Sequence, residues 1–364
     1  MNGQALYIPV LKWRQGEYRA LKDLAEDVKL STLPLIEIPP VAWDFVEERP
    51  QKPLRDHLAP MPNQILEHWG GDCFVDFRLL ASESLPTEEL NEAQPVDIAK
   101  ELRAFFEALG ARASSVVPVT TVSRDAAFQD AVRQIAESYG TGACIRLGLE
   151  SALEPRAVSN LASILRLTPG LTDVIVDLQK VDPNQLALLR LVLKNVLGTL
   201  SNQGYRSLAL IGSAFPMDLS EVTPGVGSIP RSEWALWTQL KQDLDASVLF
   251  GDYGIANVEV REIDPRLMVA SASIRYTAIS EWMIFRGRSL REIRYGGYNQ
   301  FRTLSIQVVD HSSYSGPKFS WGDDYLFKCA YSLVGTGNLT TWRQVGTNHH
   351  ITFVVRQLAS ARET

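Results

Sequence analysis

The side chains best able to do chemistry stand where short apolar runs end. Lys12 closes the run ALYIPVLK, with Arg14 just beyond it; Glu37 sits in LPLIEI. Asp76 and Arg78 lie two apart in DCFVDFRLL, and Arg146 stands in GACIRLGLE. Asp177 and Gln179 end TDVIVDLQ, Ser213 stands in YRSLALIGSAFP, and Asp252 and Tyr253 follow SVLF. Residues two apart on a strand share a face, so Asp76 and Arg78 point the same way. Guanidinium forks match phosphate and carboxylate, so Lys12, Arg14, Arg78 and Arg146 suggest an anion site. Glu37, Asp76 and Asp177 would then handle protons or position water, and carboxylates gathered at strand ends could also hold Mg²⁺. The competing reading is structural. An ionised group inside a protein needs a partner, and Asp76, Arg78, Arg146 and Asp177 could pair into a plug.

A second constellation lies near the C-terminus, in GNLTTWRQVGTNHHITFVV. Thr347 or Asn348 reads as a helix cap, which places His349 and His350 in a first turn, where backbone N–H groups favour anions and neutral imidazole. Either histidine could shuttle a proton there, while Trp342 and Arg343 could stack on a base or cover a pocket mouth. A third stretch, RGRSLREIRYGGYNQFR from Arg286 to Arg302, interleaves arginine with aromatic rings. That mixture suits single-stranded nucleic acid, although Arg288, Arg291 and Arg294 also fit a solvated helix face.

The elements that must position these groups alternate in a regular way. Eight apolar runs, at 5–12, 33–38, 72–80, 114–122, 142–150, 172–179, 205–216 and 247–254, are separated by helical stretches. Among those stretches are Asn63 to Trp69, Val96 to Leu109, Ser123 to Tyr139, Pro155 to Leu167 and LALLRLVLKNVLGTL. Continuous apolar strands are buried on both faces, as in a parallel sheet between helical layers. Eight such units over about 250 residues predict a (β/α)8 barrel, whose ligand face is at the C-terminal strand ends. From 257 to 341 the pattern changes: LMVASASIRYT and LSIQVVD read as strands of an insertion after the eighth strand, with 342–364 as the closing helix of one domain.

Composition narrows the function classes. The chain has 364 residues, is 45% hydrophobic and 21% charged, and carries a net charge of -6. This is globular, with material for a full core, and too acidic for a general polyanion binder. No run reaches the roughly 20 apolar residues of a membrane span. Cys73, Cys144 and Cys329 are few and far apart, which fits a reducing cytoplasm and gives no CxxC pair. GxGxxG, GxxxxGK[ST], GxSxG and HExxH are all absent. The ends of runs four and seven lack the carboxylates of the commonest barrel glycosidases.

Four motifs together resemble a known family: YIPVLKWRQGEYRAL at Tyr7 to Leu21, PLIEIPP at Pro34 to Pro40, VDFR at Val75 to Arg78, and W-R-x-x-G-x-N-H-H at Trp342 to His350. They resemble the beta protein family of bacteriophage and bacterial genomes over nearly the whole chain. The resemblance implies a cytoplasmic protein encoded by phages or by mobile and antiviral-defence loci. It implies no reaction and assigns no residue. The expected partner is therefore a phosphate-bearing ligand, a nucleotide or a nucleic-acid end, with hydrolysis of a phosphoester as the expected chemistry. The alternative is a non-catalytic scaffold that binds a protein from a neighbouring gene.

Overall fold

Eight parallel strands close into a barrel in the computed structural model, which describes residues 5–80, 97–154, 156–244, 247–260, 264, 266–267 and 270–363. Positions 96, 155, 268 and 269, included in expected elements above, lie outside the described residues. The barrel strands are β1 (Tyr7–Leu11), β2 (Leu35–Glu37), β3 (Cys73–Asp76), β4 (Val116–Thr120), β5 (Ala143–Gly148), β6 (Thr172–Lys180), β7 (Ser207–Ser213) and β9 (Leu249–Asp252). Each pairs with its neighbours in chain order, and β9 closes on β1 through Tyr7↔Phe250 and Pro9↔Asp252. One further strand, β8 (Gly225–Pro230), intervenes between β7 and β9 and lies outside the barrel.

The main helices that follow β1 to β7 are α1 (Gln15–Lys22), α2 (Met61–His68), α3 (Ile98–Leu109), α4 (Ala126–Tyr139), α5 (Ala157–Ile164), α6 (Leu186–Ser201) and α7 (Ser232–Asp243). Local chemistry sets their ends. Asp97 and Asp125 accept the Lys100 and Phe128 backbone N–H groups as N-caps, and Gly140 ends α4 in the left-handed conformation. Gly142 has φ +67°, and a Cβ there would stand 2.0 Å from the Leu171 carbonyl oxygen. Only glycine lets β5 enter the barrel so close to the turn before β6.

Strand alternation divides the core. Outward residues such as Tyr7, Leu11, Val75, Ile145 and Val176 pack against the helices. Inward residues such as Val10, Leu35, Phe74, Cys144, Ile175 and Ile211 fill the barrel. One step further along each strand, the inward positions become Lys12, Glu37, Asp76, Arg146, Asp177 and Ser213. The apolar barrel is therefore capped, at its C-terminal end, by a polar layer.

The C-terminal elaboration draws on two segments. β8, from the connection between β7 and α7, pairs antiparallel with β11 (Glu281–Ser289), and β11 pairs with β10 (Ser271–Thr277). Helices α8 (Gln300–Val309) and α9 (Trp321–Ala330) pack on this sheet around Ile274, Phe285, Phe301, Leu326 and Trp342. LSIQVVD is thus helix and not strand: Phe301, Leu304, Ser305 and Val308 are its buried side, at helical spacing. The closing helix, α10, runs from Leu339 to Glu363 and starts well before Thr347. Asn348 does not cap it. Its Oδ1 accepts from the Gly322 N–H and its Nδ2 donates to the Ala20 carbonyl, which ties α10 to α9 and α1. Gly346 lets the helix pass mid-course, since a Cβ there would meet Ile255 Cδ1 at 2.6 Å.

Candidate functional site at the barrel mouth

The barrel register sets Glu37 beside Asp76 on adjacent strands, two like charges side by side. A cation must lie between them, and Arg146 supplies it from across the barrel. Its Nη1 donates to Glu37 Oε1 at 2.8 Å and to Asp76 Oδ2 at 2.7 Å. Its Nε and Nη2 both donate to Asp177 Oδ2, at 3.0 and 2.6 Å, and Nη2 also donates to Tyr253 Oη at 2.6 Å. Tyr253 donates in turn to Asp177 Oδ2 at 2.7 Å. All five groups are buried. Burial pushes the Asp177 carboxyl up, but Arg146 and Arg78, with the Tyr253 hydroxyl, hold it below the usual range. Burial of the Tyr253 phenol beside Asp177 and Glu37 raises it well above its usual value, so it remains a donor.

Arg78 lies over this network and is the member that reaches solvent, its side chain 29% exposed. Its Nη2 stands 2.9 Å from Glu37 Oε1 and its Nη1 3.8 Å from Asp177 Oδ2. Two buried atoms of the Arg78–Glu37 pair, Arg78 Nε and Glu37 Oε2, have no hydrogen-bond partner. The remaining carboxylate oxygens of the group are engaged: Asp76 Oδ1 accepts from the Arg78 backbone N–H, and Asp177 Oδ1 from that of Gln179. Among the described residues, no three His, Cys, Asp or Glu side chains are arranged to hold a metal ion.

Beside this network the β1 edge of the mouth is strongly cationic. Lys12 Nζ donates to the Asn257 and Glu259 carbonyls and lies 5.8 Å from the Tyr253 ring. Burial pushes its amine down to about 8; Glu37 and Glu17 oppose that, while Arg14 and Arg343 add to it. Arg343 sits 3.9 Å from Glu17 and packs against the start of α1. Burial, followed by Arg343, pushes the half-buried Arg275 guanidinium down to about 9, still protonated at neutral pH. Glu17 is held elsewhere, with Oε2 accepting from the Lys12 and Arg14 backbone N–H groups. Arg14 itself is exposed.

The expected site residues therefore separate into groups. Glu37, Asp76, Asp177, Arg78 and Arg146 converge on one network, and Lys12, Arg14 and Arg343 lie along its edge. Arg146 is not free to grip an anion, because every N–H direction of its fork is taken by carboxylates or Tyr253. Trp342 neither covers the mouth nor offers a face there: it stacks on Phe301 at 4.6 Å and 7° in the core of the elaboration. His349 and His350 lie in mid-helix, both fully buried. His350 Nε2 meets Asp252 at 3.1 Å and Nδ1 meets Thr277 Oγ1 at 2.8 Å, on the outward side of the barrel wall. His349 bonds Asp323 and the Thr277 carbonyl, both at 2.9 Å. These positions make the histidines fasteners of α10, away from the mouth. Tyr253 was singled out at the end of the eighth run but given no role, and Arg275 was missed by sequence reasoning. The parity of Tyr253 at the end of the eighth run was a usable signal, whereas Arg275 reaches the mouth edge only through the tertiary placement of β10.

A closed eight-stranded parallel barrel with a polar layer at its C-terminal mouth defines this molecule as a (β/α)8-barrel protein. The chain belongs to the beta protein family, whose sequence model, Beta protein, matches residues 7–356. Among solved structures it is similar to the type I 3-dehydroquinate dehydratase of Clostridium difficile, with 12% identity and a TM-score of 0.36 over 71% of this chain and 88% of that one. It is likewise similar to the 3-dehydroquinate dehydratase of Geobacillus kaustophilus, with 13% identity and a TM-score of 0.34 over 71% and 84% of the two chains. Likeness at this level says nothing about a reaction. No curated protein sequence matches the chain. No helix among the described residues is long and apolar enough to cross a membrane.

Proposed function

We propose that this is a cytoplasmic phage- or mobile-element-associated protein whose barrel mouth binds a phosphate-bearing ligand, a nucleotide or a nucleic-acid end. The observation that carries this reading is the excess of positive charge on one side of the mouth. Six cations, Arg146, Arg78, Lys12, Arg14, Arg275 and Arg343, stand in the network and along its edge against four carboxylates, Glu37, Asp76, Asp177 and Glu17, each of which already accepts hydrogen bonds. Lys12, which Arg14 and Arg343 disfavour as a cation, gains from an incoming anion. Arg78 would present the solvent-reaching part of its guanidinium to the phosphate. Glu37 Oε2, the unpartnered acceptor in the same pair, would take a ligand hydroxyl or a water. The chemistry such an arrangement supports is hydrolysis of a phosphoester, with Glu37 holding the attacking water and Lys12 and Arg78 taking the developing charge. Mg²⁺ would have one open protein oxygen to bind here, that of Glu37, and would otherwise arrive with the phosphates.

The test is thermal unfolding in the presence of inorganic phosphate, nucleoside mono- and triphosphates, and a 5′-phosphorylated dinucleotide. A ligand at about 100 times its Kd adds about 2.7 kcal/mol of stability, a shift of several degrees. Lys12→Met or Arg275→Met should remove that shift. The same midpoint with every probe at millimolar concentration would overturn the reading. A second reading, a non-catalytic scaffold for a protein partner in a phage or anti-phage complex, is favoured by one feature. Arg146 closes the barrel centre with every donor engaged, as a structural plug would. On that reading no phosphate compound shifts the midpoint, while co-purification with the product of an adjacent gene does occur.

A further inference from the structure

We propose that the turn between β11 and α8 is a binding surface for single-stranded nucleic acid, separate from the barrel mouth. The chain is acidic overall, yet residues 286–302 hold five arginines and one acidic residue, Glu292. The segment is not the regular helix that the spacing of Arg288, Arg291 and Arg294 suggests. Arg288 is the penultimate residue of β11, Arg291 lies in the bend after it, and Arg294 lies in the first of two short 3-10 segments, Ile293–Tyr295 and Gly297–Asn299. Gly296 and Gly297, with φ of +83° and +53°, allow that turn. Gln300 fastens it: its Oε1 accepts from the Arg288 backbone N–H at 2.7 Å, and its Nε2 donates to the Gly297 carbonyl at 3.1 Å. The surface is therefore a built one.

Its side chains form cation–π and aromatic contacts. The Arg288 guanidinium lies 5.2 Å from the Tyr295 ring centroid and that of Arg294 lies 4.7 Å from it, so one tyrosine carries two cations. Tyr298, 41% exposed, stacks on Phe301 at 6.1 Å and 26°, and Phe301 stacks on buried Trp342. Tyr298 is thus the outer end of an anchored aromatic column. Ile293 is 93% exposed beside them. Glu292 offsets part of the charge through Arg294, at 2.5 Å, and the Arg291 fork donates to the Arg266 carbonyl at 3.0 Å while remaining exposed. Two tyrosine faces three residues apart with guanidinium groups around them match what an unpaired strand offers: bases with π faces, joined by phosphates. An acidic peptide offers the charge without the planes, so the stacked geometry favours the nucleic acid.

The experiment is fluorescence anisotropy of the full chain with a labelled twelve-nucleotide oligothymidylate, from 25 to 200 mM NaCl. About three phosphate contacts on a single strand give a log–log salt slope near −2. Arg288→Gln with Arg294→Gln should bring the slope to about −0.7. Tyr295→Ala should weaken binding about tenfold with little change of slope, because the lost interaction is stacking. Tyr295→Leu keeps the bulk under the arginines and should lose the same tenfold, which separates stacking from local collapse. The proposal is overturned by no binding at 25 mM NaCl. It is equally overturned if oligoglutamate of matched charge binds as tightly and both Tyr295 variants bind like the parent.

Discussion

Arg146 and Asp177 face each other across adjacent strands with two nitrogens on one oxygen: Nε and Nη2 of Arg146 stand 3.0 and 2.6 Å from Asp177 Oδ2. Glu37 and Asp76 meet the same guanidinium from the far side of the barrel. Removing one partner of a buried ion network leaves uncompensated charge, at a cost of about 3–5 kcal/mol. Arg146→Met should therefore lower the urea midpoint sharply, or prevent folding, whereas Arg78→Met, whose guanidinium is partly solvated, should lower it by less. Equal effects of the two substitutions in equilibrium unfolding would contradict the division between strut and mouth residue.

The network also gives stability a dependence on acid. Asp177 is held below its usual range in the folded protein, so its contribution is fully present above the unfolded value of about 4. It is lost as pH falls through the lower folded value. Unfolding free energy should drop below about pH 4 in the parent, and the drop should be smaller in Asp177→Asn measured against its own neutral-pH value.

Glu233 behaves in the opposite sense. Buried near Asp252, its carboxyl is pushed up to about 8 by burial, with Arg231 opposing. A carboxyl with a raised folded value favours folding most below its unfolded value of about 4.3, and that contribution is lost as pH rises through the folded one. Glu233→Gln should remove this slope, so the variant should gain stability relative to the parent between about pH 5 and pH 8. Parallel curves for the two proteins would show that Glu233 is ionised in the fold.

The two adjacent histidines fasten α10 through different partners. His349 meets the Asp323 carboxylate through Nδ1 and the Thr277 carbonyl through Nε2. Contact with His349 holds Asp323, pushed up by burial, below the usual carboxylate range. His350 bonds Thr277 Oγ1 and Asp252, and burial lowers its imidazole, so it carries one proton at neutral pH. Nitrogen-15 spectra at neutral pH should show the His350 ring singly protonated, and a doubly protonated ring there would contradict the assignment.

The barrel was legible because strands buried on both faces read as unbroken apolar runs, and eight of them recur with helices between. The inner network was legible for the same reason: Glu37, Asp76, Arg146 and Asp177 each stand two residues past an apolar inward residue. Two errors have a physical source. Thr347-Asn348 looks like a cap only if Gly346 ends a helix, but Gly346 is there to clear Ile255. LSIQVVD is rich in β-branched residues, yet contacts with Phe285 and Trp342 in the elaboration's core stabilise it as helix, so packing overrides propensity. Arg275 could not be placed at all, because its position depends on β10 crossing behind α10, a long-range relation with no local mark.

Lys12 sets the expected pH range of the mouth. With its amine at about 8, it is mostly charged at neutral pH and loses charge above that. Affinity for a phosphate compound should fall as pH rises from 7 to 9, and an affinity unchanged over that range would contradict the placing of Lys12 in the site.

The most direct measurement is anomalous diffraction from crystals soaked in tungstate, a heavy oxyanion that stands in for phosphate. A bound anion within hydrogen-bonding distance of Arg78 and Lys12, absent in Lys12→Met crystals soaked in the same way, is the expected result. Density confined to other surfaces, with the mouth unchanged at saturating tungstate, would contradict the account and leave the barrel as a scaffold.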